Sequence, residues 1–116
     1  MNFQNIIPDS MYPITNESWR GAYSKKFTAR NRYAGEIAIK EVDGVIFLRP
    51  KGKNAYALFT RGMWRYMMLL AKKQKVCIIS EFPPRHALHK KLATKHGYDF
   101  IDRGHLLYTF SGEIDG

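Results

Sequence analysis

The chain has little cysteine, little acid and no long apolar run, and each shortage narrows what it can be. Its single cysteine, Cys77, cannot close an internal disulfide, so stability must come from a packed core, and a reducing compartment is expected. No apolar stretch approaches the ~18 residues that a bilayer-crossing helix needs. The first residues, Met1-Asn2-Phe3-Gln4-Asn5, lack the charged and apolar regions of a signal peptide. Together these predict a soluble, cytoplasmic protein with no membrane partner. At 116 residues there is room for one core but not two. A hydrophobic fraction of 45% excludes a disordered basic tail.

Ten acidic residues stand against nineteen Lys and Arg, a formal net charge of +9. The imbalance is segregated. Residues 1–19 hold Asp9 and Glu17 and no Lys or Arg. Residues 20–32 carry Arg20, Lys25, Lys26, Arg30 and Arg32 without an acid, and residues 49–75 carry Arg49, Lys51, Lys53, Arg61, Arg65, Lys72, Lys73 and Lys75, again without one. Clustered cations raise the local potential and favour a polyanionic partner: a nucleotide cofactor, nucleic acid or an acidic protein surface. The same charges would equally serve as a solvated basic face.

The pattern along the chain predicts an α/β fold in a single domain. Residues 1–34 read as irregular or helical, with Pro8, Pro13 and scattered aromatics but no sustained period. Gly35 to Pro50 reads as a β-hairpin, with Ile37 and Ile39 alternating with polar neighbours, Asp43-Gly44 as the turn and Val45-Ile46-Phe47-Leu48 returning. Ala55 to Lys73 reads as a helix, since Ala55, Phe59, Met63, Tyr66 and Leu70 recur at three- and four-residue spacing. Asn54 would cap its start and Lys72-Lys73 would suit its negative end. Val76-Cys77-Ile78-Ile79 has no polar alternation and reads as a central, parallel strand. A second helix follows Pro83-Pro84 and stops at Gly97, and a last hairpin turns about Arg103-Gly104. The expected packing is a mixed sheet with helices on its faces.

One loop stands out chemically. Arg49-Pro50-Lys51-Gly52-Lys53-Asn54 follows a strand and opens a helix, so backbone amides and cations converge where a phosphorylated ligand is readily held. This loop and the order of elements around it resemble the GCN5-related N-acetyltransferase family, over about Gly35 to Phe110. That family has a loop of the pattern [Q/R]-x-x-G-x-[G/A], matched here by Arg49 and Gly52, with Asn54 where Gly or Ala is usual and Ala55 one residue late. Its next helix commonly reads N-x-x-A-x-x-L-Y-x-K-x-G-F; here His86, His89, Leu92 and Gly97-Tyr98 occupy the Asn, Ala, Leu and Gly-aromatic places. The closing Leu106-Leu107-Tyr108-Thr109-Phe110 looks like the family's last strand. More loosely, the chain resembles short proteins of this type encoded by short-tailed phages, some of which serve virion assembly; that origin would place it in host cytoplasm or virion.

The resemblance implies an acyl-coenzyme A ligand, acetyl-CoA, and transfer of the acetyl group to an amine acceptor that the sequence does not identify. It implies that Arg49, Lys51, Gly52, Lys53, Asn54 and Ala55 hold the cofactor, with Arg49 or Arg61 reaching its ribose phosphate. It also exposes a departure: the family's frequent general acid, a Tyr four residues before the Gly, aligns with Ala93. Tyr98, Tyr108, His89 or His96 would have to fill that role, and spacing does not choose among them; Tyr98 is taken forward. Glu81 follows the central strand on the side where open α/β sheets place ligands, which makes it the first candidate base, ahead of Glu36 and Glu41. As a surface carboxylate, Glu81 would instead pair with Arg85 four residues on. His86 and His89 lie three apart on one helix, but no third ligand accompanies them, so no metal is expected. Cys77 is expected in the core.

A second class of function uses the charges without catalysis. Arg20, Lys25, Lys26, Arg30 and Arg32 interleave with Trp19, Tyr23, Phe27 and Tyr33, and Arg61 and Arg65 add a basic helical face. That mixture suits phosphate contacts and base stacking, as in a nucleic-acid-binding or assembly protein on the same scaffold. The competing explanation is that these aromatics fill the core.

Overall fold

A computed structural model describes residues 19–29, 32–51 and 57–111. Among them, six strands and two helices form an α/β fold. The strands are β1 (Tyr23–Ala29), β2 (Arg32–Val42), β3 (Val45–Lys51), β4 (Lys75–Ser80), β5 (Phe100–Arg103) and β6 (Leu106–Phe110). Helix α1 (Ala57–Leu70) joins β3 to β4, and α2 (His86–His96) joins β4 to β5 through a 3-10 turn at Pro83–Arg85. The sheet order is β1-β2-β3-β4-β6-β5. Every neighbouring pair is antiparallel except β3 and β4.

The hairpin of β2 and β3 follows from its turn. Val42 pairs with Val45, leaving Asp43 and Gly44 as a two-residue loop with φ of 52° and 82°. Two positive φ values are what a type I′ turn requires, and its twist matches the flanking strands. The α2 stop is equally local. Gly97 takes φ 71°, its N–H reaches the carbonyls of Ala93 and Thr94, and the Tyr98 N–H also donates to Ala93 at 2.9 Å. This satisfies carbonyls that the helix end would leave open.

Register divides the sheet into two faces. Ile37, Ile39, Leu48, Val76 and Ile78 share one face and pack with Phe59, Met63, Trp64 and Met67 of α1 and Ala93 of α2. The opposite face gathers Val45, Phe47, Cys77, Ile79, Tyr108 and Phe110, with Trp19 packed against them. Cys77 is wholly buried there, as expected, and burial pushes its thiol well above the usual range.

Several expectations need correction. Residues 23–29 form an edge strand rather than irregular or helical chain. Tyr23, Lys25 and Phe27 do alternate, but the central position is a lysine, whose ammonium lies 5.0 Å from the Tyr66 ring centre. The first helix ends at Leu70 rather than Lys73. Lys72 and Lys73 donate to the carbonyls of Leu69 and Leu70, a tighter turn that closes the helix before β4. The start expected at Ala55 and its Asn54 cap lie outside the described residues. Both described helices lie on the same face of the sheet. The connections β3 to β4 and β4 to β5 step the same way across the sheet, so crossovers of one hand fall on the same side.

Candidate functional site

The parallel pair at the centre of the sheet comes apart at one end. β3 and β4 pair from Val45 with Lys75 to Leu48 with Ile78, and there the pairing stops. Both strands continue with their other neighbours: Arg49, Pro50 and Lys51 stay opposite Ala38, Ile37 and Glu36, while Ile79 and Ser80 stay opposite Tyr108 and Leu107. The result is a gap in the hydrogen-bonded ladder at the carboxyl end of two parallel strands. This is the position where open α/β sheets take ligands. Pro50 lies in the diverging stretch and has no amide to offer a ladder.

The gap is bridged on the face away from the helices. Arg49 Nη2 donates to Glu81 Oε2 at 2.9 Å, and both side chains are partly exposed. The Arg49 guanidinium also lies 5.6 Å from the Trp19 ring centre. The structure thus joins a residue expected to hold cofactor with the residue expected to act as base, although 32 positions separate them. The Arg85 pairing anticipated for Glu81 is not the one found. Arg85 is buried on the helix side, where Nη1 donates to the Thr60 hydroxyl in the first turns of α1. Desolvation lowers its pKa, yet guanidinium stays charged at any ordinary pH. Arg85 and Thr60 therefore place a cation beside the start of α1, and only the fold reveals it.

The remaining candidates separate clearly. Tyr98 stacks on Trp64 with centroids 5.9 Å apart and planes within 17°, on the helix face. Asp99 bonds to Phe110, which pairs with Cys77, so Tyr98 is level with Val76. That is five residues below Glu81 along β4, or about 16 Å at ~3.3 Å per residue. His96 is exposed and stacks on the same Trp64. His89 is buried and accepts the Trp64 indole N–H at Nδ1, 3.0 Å away. Desolvation drives its pKa down from 6.5 to about 3, with His86 and Arg85 adding to the effect. His86 is buried with Nε2 3.2 Å from the Ser80 carbonyl, and desolvation lowers its pKa too. Tyr108 alone of the four alternatives for the acid shares a sheet face with Arg49. It pairs with Ile79, two residues before Glu81, but is wholly buried.

Gly52, Lys53, Asn54 and Ala55 lie outside the described residues, as do Arg30 and the side chains of Lys51 and Arg32. Ala93 is wholly buried in the helix-face core, where a small side chain lets α2 approach the sheet. Among the described residues no three His, Cys, Asp or Glu converge on a point. No helix among them is long and apolar enough to cross a membrane. Compared with known proteins, the chain matches no family model, no curated protein and no solved structure.

Proposed function

We propose that the chain is a GNAT-like domain that binds an acyl-coenzyme A in the gap between β3 and β4 and transfers its acetyl group to an amine. The observation that carries this reading is the parting of the parallel strands after Leu48 and Ile78, with a basic loop leading from β3 into α1. The loop residues Lys51 to Ala55 hold the diphosphate, and Arg49 adds a guanidinium at the mouth. An extended ligand arm lies in the gap beside the strand backbones. Glu81 takes the proton from the attacking amine, directly or through water. As the amide C–N bond forms, the thioester C–S bond breaks and coenzyme A departs as the thiolate, which takes its proton from solvent. Because Glu81 is held by Arg49, substrate entry exchanges that ion pair for ligand contacts.

Isothermal titration with acetyl-CoA tests the reading. Heat of binding is expected, reduced in Arg49→Gln. No binding at millimolar ligand in low salt would remove the cofactor from this chain. Binding without acetyl transfer to a panel of amines, unaffected by Glu81→Gln, would keep the ligand and remove the reaction.

A further inference from the structure

The fold brings Lys25 of one acid-free basic segment and Arg61 and Arg65 of the other to the helix side of the sheet. β1 is an edge strand whose residues Tyr23, Lys25 and Phe27 face the helix side, opposite Ile39, Ile37 and Gly35. Phe27 meets Phe59 and Tyr66 of α1 edge-on, at 5.8 and 6.1 Å between ring centres. Lys25 lies over the rings of Phe27 and Tyr66. Tyr23 is 63% exposed on the same strip. Along the exposed side of the helix, Arg61, Arg65 and Leu69 recur every four residues, and Leu69, 61% exposed, lies one turn from Tyr66. Among the described residues, the ion pairs Arg49–Glu81 and Lys90–Asp102 lie elsewhere. The nearest carboxylate by register on this face, among the described residues, is Glu41, two residues past Ile39 and beyond the start of β1.

We infer that the strip formed by β1 and α1 binds single-stranded nucleic acid, with Lys25, Arg61 and Arg65 on phosphates and Tyr23 stacking on a base. Cations alone would suit any polyanion. The exposed ring among them selects a strand whose base faces are open, because a duplex hides those faces in its stack. The surface lies beside the core of the molecule, not in the gap between β3 and β4, so the inference stands apart from the cofactor reading.

The test is fluorescence anisotropy of the full chain with a labelled dT20 oligonucleotide across a salt series. Log affinity is expected to fall linearly with log salt. Arg61→Gln with Arg65→Gln should flatten the slope by about 1.4, at roughly 0.7 per phosphate contact on a single strand. Tyr23→Ala should weaken binding roughly 5- to 150-fold while leaving the slope unchanged, the range expected for one lost base stack. Lys91→Gln with Lys95→Gln removes the same charge from exposed positions on α2 and should leave the slope near wild type. Absence of binding in low salt overturns the inference. So does equal or tighter binding of a duplex of the same length, an unaffected Tyr23→Ala, or an equal loss in the α2 control, since each reduces the effect to net charge.

Discussion

Lowering the pH should weaken this fold through one buried imidazole. His89 is wholly buried between α2 and α1, and its Nδ1 accepts the Trp64 indole N–H, so the neutral ring carries its proton on Nε2. Protonating Nδ1 would break that bond and place a charge in the core. The pKa therefore falls from 6.5 to about 3 on folding. The unfolded chain takes up the proton first, so stability is complete above 6.5 and declines as pH falls toward 3. From 6.5 down to pH 5 the interval is about 1.5 pH units, or about 2 kcal/mol at ~1.36 kcal/mol per unit. His86, also lowered by burial, acts in the same direction. Urea unfolding of wild type and His89→Gln near pH 7.5 and near pH 5 isolates the contribution. Glutamine keeps an acceptor for Trp64 but cannot titrate in this range. The wild type should lose about 2 kcal/mol more than the variant on acidification. Parallel losses in the two proteins would refute a neutral, buried His89.

Two further substitutions check the packing. Gly62→Ala should raise stability by roughly 0.8–1 kcal/mol, the helix-propensity difference, because the new Cβ would lie 3.8 Å from Phe27 Cδ1 in ordinary contact. A higher urea midpoint at unchanged slope is expected, and a lower one would mean α1 packs on β1 more tightly than described. Ala93→Tyr should not restore a proton donor but overpack the helix-face core, costing about 1–3 kcal/mol by the same assay. A variant as stable as wild type would place residue 93 at an open surface.

What could be read from the residues was whatever is encoded locally. Asp43-Gly44 marked its hairpin because few other pairs tolerate two positive φ values. Gly97 marked the end of α2 for a similar reason, and the unbroken Val76 to Ile79 run marked a strand covered on both faces. β1 was missed because it is an edge strand whose alternation runs through Lys25, a residue made compatible with the helix face only by rings contributed from α1 and Phe27. The candidate site showed in the sequence only as two separate stretches, the loop after β3 and Glu81 after β4, and not in their contacts. Sequence spacing pointed Glu81 to Arg85, four residues away. The crossover through α1 instead brings Arg49 across from it, and leaves Arg85 to Thr60. Local rules see neighbours along the chain, and a parallel strand pair makes its neighbours through a crossover.

The parted strands also bear on how the molecule would meet any guest. Four rungs, from Val45–Lys75 to Leu48–Ile78, hold β3 to β4, and Phe47, Leu48, Val76, Cys77 and Ile78 in them are closed to solvent. The sheet is thus built like a clothes-peg, laddered at one end and unladdered at the other, with Ile79 and Ser80 of the unladdered part equally closed to solvent. Something slipped between the jaws has no rung to unzip; among the described residues it meets the clasp of Arg49 on Glu81.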